Sequence, residues 1–293
     1  MIKVKELYPN LYVVGTPKAG TTSLHDNLSL IKTIQSPIEK EPHYFSQIGN
    51  NVPSVRSLSK NEYLSMYDFE SNGVKYWLDS SVSYLYQGRA LDGIAKQAIS
   101  PRVIIMLREP VSRMYSHWLM DYREGVTKLD FRNAVLMDYK KTDKGFGFNH
   151  MYVECSLYYE AVLNCYSYFG KDNVYVGFFE DFIKDGNIFM DNLLQWLEID
   201  EKWNDKPLLV SNPAAVPKNI LYSTLLHNFA LRKFFKSILP PSTRHKIRAQ
   251  FLKPAVKMNI DESDRHYFER WFSDDIEKLS GLISWDYSRW VGK

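Results

Sequence analysis

The stretch LYVVGTPKAGTTSLHDNL, Leu11 to Leu28, sets two glycines, a lysine and two threonines between an apolar run and an amphipathic pattern. Backbone N–H groups in a tight glycine loop, followed by the N-terminus of a helix, form a site for an anion. Thr21 and Thr22 add hydroxyl donors and Lys18 adds a mobile cation. The spacing departs from the nucleotide loop G-x-x-x-x-G-K-[ST]: Gly15 and Gly20 keep the five-residue step, but the lysine lies inside the loop.

A second constellation is LREPVSRMYSHW. Arg108 ends the strongest apolar run, and Ser116 lies eight residues on, about two turns into a helix, with Arg113 between them. A strand ending in arginine suits a phosphate held without a metal, because guanidinium binds phosphate bidentately. A nucleoside-triphosphate enzyme needs a magnesium-holding acid near its loop, and Asp79 is the candidate for that alternative, a small-molecule kinase.

Taken together, the two segments resemble the cofactor motifs of the sulfotransferases. In that family PKxGTT holds the 5′-phosphosulfate of 3′-phosphoadenosine 5′-phosphosulfate (PAPS), and R-x-P-x-x-R-x-x-S holds its 3′-phosphate. The resemblance implies cofactor contacts from Pro17, Lys18, Ala19, Gly20, Thr21, Thr22 and Ser23 at the 5′ end. It implies Arg108 and Ser116 at the 3′ end. EKEPHYFS, Glu39 to Ser46, is similar to the K-E-x-H-F-F segment of the heparan-sulfate-type and bacterial carbohydrate branches. SLYYEAVLNCYSYFGKDNVYVGFFEDF resembles a later stretch of the family and puts Tyr158 on the cofactor side. NPAAVPKNILY is nearest to its late basic loop over the 3′-phosphate, giving Lys218 and Asn219.

Sulfuryl transfer is an in-line displacement at sulfur. It needs a base for the acceptor and a cation for the bridging oxygen that inherits charge. Lys18 is placed to be that cation. Glu41 is the expected base, with His43 as alternative base or as an acceptor-orienting group; the plain alternative for Glu41 is an ion pair with Lys40. Tyr44, Ser81 and Tyr84 join His43 as expected acceptor contacts. One departure stands out: LDSSVSYLY places Ser80 where the heparan-sulfate branch carries a lysine and Val82 where it carries a proline. His117, next to Ser116, is expected to pack on its helix.

The elements that must position these residues follow from the pattern. Leu11–Gly15 is a strand and Thr22–Leu30 a helix; a short strand follows near Thr33–Ser36. Gln47–Lys60 is a loop rich in Asn, Ser and Pro. Tyr76–Asp79 is a strand, Gly88–Ile99 a helix, RVIIML a buried strand, and Val111–Tyr122 a helix whose first turn tolerates Pro110. A strand in NVYVGF and a helix over Asn187–Leu197 complete the alternation. Strands alternating with helices imply a parallel sheet covered on both faces. The expected fold is a P-loop-like three-layer α/β/α domain over residues 1–293, with a helical C-terminal extension from about Asn212.

Composition narrows the class. The chain has 293 residues, 45% hydrophobic, with 20 Tyr, 16 Phe and 7 Trp, enough for a large core. A net charge of +3 gives no case for nucleic acid as a partner. No apolar run reaches the roughly 18 residues of a membrane helix, and the N-terminus lacks a signal-peptide core. Cys155 and Cys165, read as lying in one helix, give no disulfide framework, and scattered histidines give no metal site. A cytoplasmic, metal-independent enzyme acting on a saccharide or small-molecule acceptor is expected, at an oxygen or a nitrogen. Between Pro207 and Ile260 there are nine basic residues and no acid, including Arg232, Lys233, Lys236, Arg244, Lys246 and Arg248. That run reads as either a solvated helix face or a rim drawing an anionic ligand.

Overall fold

The computed structural model describes residues 7–46, 57–145, 150–203, 206, 208–209 and 260–290, with the backbone of 215–217 and 252–254. Five strands form one sheet: β1 (Leu11–Gly15), β2 (Ile34–Gln35), β3 (Tyr76–Asp79), β4 (Arg102–Leu107) and β5 (Val174–Phe178). Their order is β2-β3-β1-β4-β5, and every pairing is parallel. Two further strands, β6 (Ala215–Pro217) and β7 (Leu252–Pro254), make an antiparallel pair.

Parallel neighbours require crossovers over the faces of the sheet. The described helices are α1 (Thr21–Leu28), α2 (Lys60–Leu64), α3 (Gly88–Gln97), α4 (Pro110–Arg123), α5 (Phe131–Tyr139), α6 (Tyr159–Phe169), α7 (Phe179–Lys184), α8 (Gly186–Trp196), α9 (Glu262–Glu269) and α10 (Ser273–Ile283). The strand period of two sorts β1 and β4 between two cores. Tyr12, Val14, Val103, Ile105 and Leu107 lie with α3, α4 and α6; Leu11, Val13, Ile104 and Met106 lie with α1 and α8. All nine strand residues are fully buried, so both faces are covered and RVIIML reads as one unbroken apolar run. The expected three-layer architecture is present. Phe268, Phe272, Ile276, Leu279 and Trp290 join the first core, so the C-terminal helices are part of it.

Several local expectations shift. The first helix starts at Thr21, directly after Gly20, and ends at Leu28. Lys60 opens α2 instead of closing a loop, because Ser59 and Glu62 form a capping box at its start; residues 47–56 lie outside the described residues. Cys155 and Cys165 do not share a helix. Cys155 sits in a 3-10 turn, Glu154–Ser156, and Cys165 in α6. The break has a cause: Asp275 accepts from the amides of Tyr158 (2.7 Å) and Tyr159 (3.1 Å), starting a new helix there. Both thiols are free and buried. Among the described residues, no helix is long and apolar enough to cross a membrane. Most of the acid-free basic stretch lies outside the described residues, as do Lys218 and Asn219.

Candidate functional site

Four neighbouring strands deliver the segments that the sequence singles out. The Lys18 loop follows β1, Glu41 and His43 follow β2, Ser81 and Tyr84 follow β3, and Arg108 follows β4. In an open parallel sheet the carboxyl edge of the strands is where ligands bind.

The loop is held from beneath. Thr16 donates its amide to the Met106 carbonyl (2.8 Å), and its hydroxyl meets those of Tyr86 and the Cys155 carbonyl. Lys18 has φ 72° and Gly20 φ 80°, so the chain turns left-handed twice within three residues. At Gly20 a Cβ would meet Phe179 Cδ2 at 2.7 Å, so position 20 takes glycine for space as well as for conformation. Gly20 also leaves α1 without a side-chain cap. The positive end of the α1 dipole thus meets no capping side chain from position 20.

Two arginines divide the work at this loop. Arg108 Nη1 donates to the Lys18 carbonyl (3.0 Å), and its guanidinium lies 4.7 Å from the centre of the Phe179 ring. Arg113 is fully buried. Its Nε donates to Ser156 Oγ (2.6 Å), Nη2 to the Tyr152 carbonyl (2.7 Å) and Nη1 to the Pro17 carbonyl (3.3 Å). It straps the loop to α4 and has no surface left for a ligand. Glu109 fixes the β4–α4 corner by accepting from the amides of Val111 and Ser112, both at 2.8 Å. Lys18 Nζ rests 3.4 Å from Met120 Sδ, one helical turn from half-buried Ser116 on α4. Burial lowers the pKa of this ammonium, against the pull of Glu124 and Asp121. Desolvation likewise lowers Arg108, against Glu180.

The segments after β2 and β3 are tied together by Asp79. This fully buried carboxylate accepts from Tyr63 (2.7 Å), Tyr84 (2.9 Å) and Ser81 (2.6 Å). Burial raises its pKa and those three bonds oppose the rise. Ser81 in turn accepts from the His43 amide (2.9 Å), and Ser83 Oγ pairs with His43 Nδ1 (2.8 Å). His43 Nε2 stands 3.4 Å from Glu41 Oε2, while Glu41 Oε1 holds Lys40 Nζ at 2.5 Å. Burial works to raise the Glu41 carboxyl. The hydrogen bond from His43 and the charge and hydrogen bond of Lys40 outweigh it and hold the group at about 2.

Some expected contacts are placed elsewhere. Tyr158 is fully buried and donates its hydroxyl to the Arg108 carbonyl (2.7 Å), so it positions the arginine from behind. Ser81 and Tyr84 are likewise fully buried, tied to Asp79 and the His43 segment. Tyr44 keeps partial exposure and stacks on Tyr63 at 4.3 Å. Ala19, Thr21 and Ser23 are buried, and the Ala19 amide donates to the Thr16 carbonyl (3.3 Å). Thr22 is half-buried and accepts from Lys40 Nζ (3.0 Å). At the departure, Ser80 pairs with His25 Nδ1 (2.9 Å), whose pKa burial and then Lys40 press down to about 4. His117 packs edge-on to Tyr152 at 5.1 Å and is pressed by burial to about 3. Arg113, Asp79, Ser83 and Lys40 are the residues that sequence reasoning undervalued. Arg113 lay in the second motif, Asp79 stood as the acid of the kinase alternative and Lys40 beside Glu41; Ser83 carried no local signal.

A parallel α/β domain with an uncapped, glycine-turned helix start, flanked by a desolvated lysine and arginine, is a binder of anionic groups. The chain belongs to the sulfotransferases: residues 9–208 match the family described as "Sulfotransferase domain". It is similar to carbohydrate sulfotransferase 15 of Homo sapiens, 23% identical over 267 residues, covering 71% of this chain and 47% of that protein. The Mus musculus protein of the same name is 22% identical with the same coverage. The chain thus spans about half the length of the curated relatives it matches. Among solved structures, the sulfotransferase from Alicyclobacillus acidocaldarius superposes with a TM-score of 0.69 at 22% identity, covering 97% of this chain and 99% of that one.

Proposed function

We propose that this chain transfers the sulfuryl group of PAPS to a hydroxyl, or an amine or carbamate nitrogen, of a saccharide or small-molecule acceptor. Residues 1–293 act as one domain in this reading, since α9 and α10 share the core of the family-matched region. The observation that carries it is backbone conformation. Lys18, Glu41 and His43, the three residues expected to do the chemistry, have φ of 72°, 59° and 52°. Side chains other than glycine avoid this region at a cost of order 1 kcal/mol or more, and such strain gathers at functional sites.

The donor set fits the group: cations at Lys18 and Arg108, hydroxyls at Thr22 and Ser116, and the open first turn of α1. PAPS would supply an activated sulfuryl group with a phosphate as leaving group. Around it, Lys18 would supply a cation for the leaving phosphate, and its partial desolvation would strengthen that interaction. Glu41 takes the acceptor proton, with His43 orienting it through Nε2 and itself fixed by Ser83. Arg108 and Ser116 would hold the 3′-phosphate. The names of the matched relatives favour a saccharide acceptor. Two free buried thiols suit the cytoplasmic setting of this reading. A kinase is disfavoured, because both oxygens of Asp79 are engaged by three hydroxyls. Adenosine 3′,5′-bisphosphate should raise the melting temperature; no shift at millimolar nucleotide would refute the proposal. An acceptor screen with radiolabelled PAPS over sugars, alcohols, phenols and amines then reads the transfer itself.

A further inference from the structure

Lys40 occupies an electrostatically odd place. Its ammonium donates to Glu41 Oε1 (2.5 Å) and to Thr22 Oγ1 (3.0 Å), so one cation ties the expected base to the first turn of α1. The N-terminus of a helix is the positive end of its dipole, where a cation is disfavoured and an anion is favoured. Glu41 is what makes the position tolerable. Yet α1 is uncapped, and on the sulfotransferase reading its N-terminus is where the anionic donor docks. An arriving anion and Glu41 would then compete for the same three N–H donors. The lysine side chain is 23% exposed, and its long stem can move between them.

We propose that Lys40 is a shuttling cation, paired with Glu41 while the loop is empty and transferred to the anion at the α1 N-terminus when the donor binds. This rests on the sulfotransferase reading above and adds a residue to it. The exchange solves a chemical conflict. A carboxylate held down by Lys40 and His43 is a weak proton acceptor, and losing Lys40 raises its proton affinity at the moment the donor is in place. The cation that restrained the base becomes a second positive group on the phosphosulfate end, beside Lys18. Ser80 and His25 cannot fill that role: they are hydrogen-bonded to each other, and His25 is held neutral at ordinary pH.

Competition has a signature that a static ion pair lacks. Titration calorimetry of adenosine 3′,5′-bisphosphate should show Glu41→Gln tightening the nucleotide by about threefold to tenfold, because Lys40 is released to it. Lys40→Met should loosen it by about tenfold, the loss of one charge-assisted hydrogen bond. The double variant should match Lys40→Met. If both single variants loosen binding equally, the pair is merely structural and the proposal falls. It falls too if Glu41→Gln still tightens binding in the Lys40→Met background, since repulsion by Glu41 would then act without Lys40. Lys40→Arg controls for folding: it keeps the charge and must keep the tightening by Glu41→Gln. Failure of the underlying reading looks different. Wild-type protein would not bind the nucleotide, or Glu41→Gln would turn over at the wild-type rate while the calorimetric pattern held.

Discussion

Arg113→Met removes the strap beneath the anion loop while nearly preserving volume. Beside a long contact to His117 Nδ1 (3.4 Å), three shorter hydrogen bonds disappear: to Ser156 Oγ at 2.6 Å, the Tyr152 carbonyl at 2.7 Å and the Pro17 carbonyl at 3.3 Å. A hydrogen bond to a charged group contributes about 1.5–3 kcal/mol, so the three sum to roughly 4–9 kcal/mol. Returning the guanidinium to water offsets several kcal/mol of that sum, which leaves a net loss of about 3–5 kcal/mol. At roughly 2–4 °C per kcal/mol for a chain of this size, melting should fall by about 6–20 °C. Arg113→Lys should lie between, since one ammonium cannot reach all three acceptors in the planar geometry of the fork. Thermal melts by circular dichroism give the stability, and calorimetry with adenosine 3′,5′-bisphosphate gives the affinity, expected to drop at least tenfold as Pro17 and Lys18 lose their anchor. A melting temperature within about 2 °C of wild type, with unchanged affinity, would refute the strap.

Lys18→Ala separates chemistry from folding. The ammonium's hydrogen bond is to the Met120 sulfur, a weak acceptor, so melting should move by less than about 1 kcal/mol equivalent while turnover falls about 10²–10³-fold; a variant retaining a tenth of the wild-type rate would remove Lys18 from the mechanism. Glu41 sets an acid dependence. Its carboxyl ionises near 2 in the fold against an ordinary 4.5, so its stabilising contribution is complete above about pH 4.5 and is lost as pH falls toward 2. The melting difference between wild type and Glu41→Gln should therefore shrink between about pH 5 and pH 3, and a difference that grows on acidification would show the sign to be wrong.

What was legible in the chain, and what was not, divides along a physical line. Short-range order was written locally. Gly15 and Gly20 marked the turn, the unbroken apolar run marked a strand buried on both faces, and Pro110 marked the start of α4. Those signals need only neighbours in sequence, and they located Lys18 and Arg108; Glu41 came from the resemblance of EKEPHYFS to the family segment. Partnerships across the sheet were not legible, because burial and hydrogen bonding depend on which strands lie side by side. Tyr158 and Tyr84 look like ligand contacts in one dimension; with β4 and β3 flanking the central β1 they become buried supports for Arg108 and Asp79.

The same division explains the two basic residues that changed meaning. Arg113 was a motif residue between Arg108 and Ser116, with no assigned partner, until the fold brought Pro17, Tyr152 and Ser156 around it. Lys40 was a sequence neighbour of Glu41 until the placement of α1 beside the segment after β2 put Thr22 within 3.0 Å of its ammonium. Sequence alone determined the kind of loop, the cation inside it and the family to which such a loop belongs. Tertiary structure decided which charges are buried, which are shared and which stay open to an incoming anion, because those depend on distances between segments far apart in the chain.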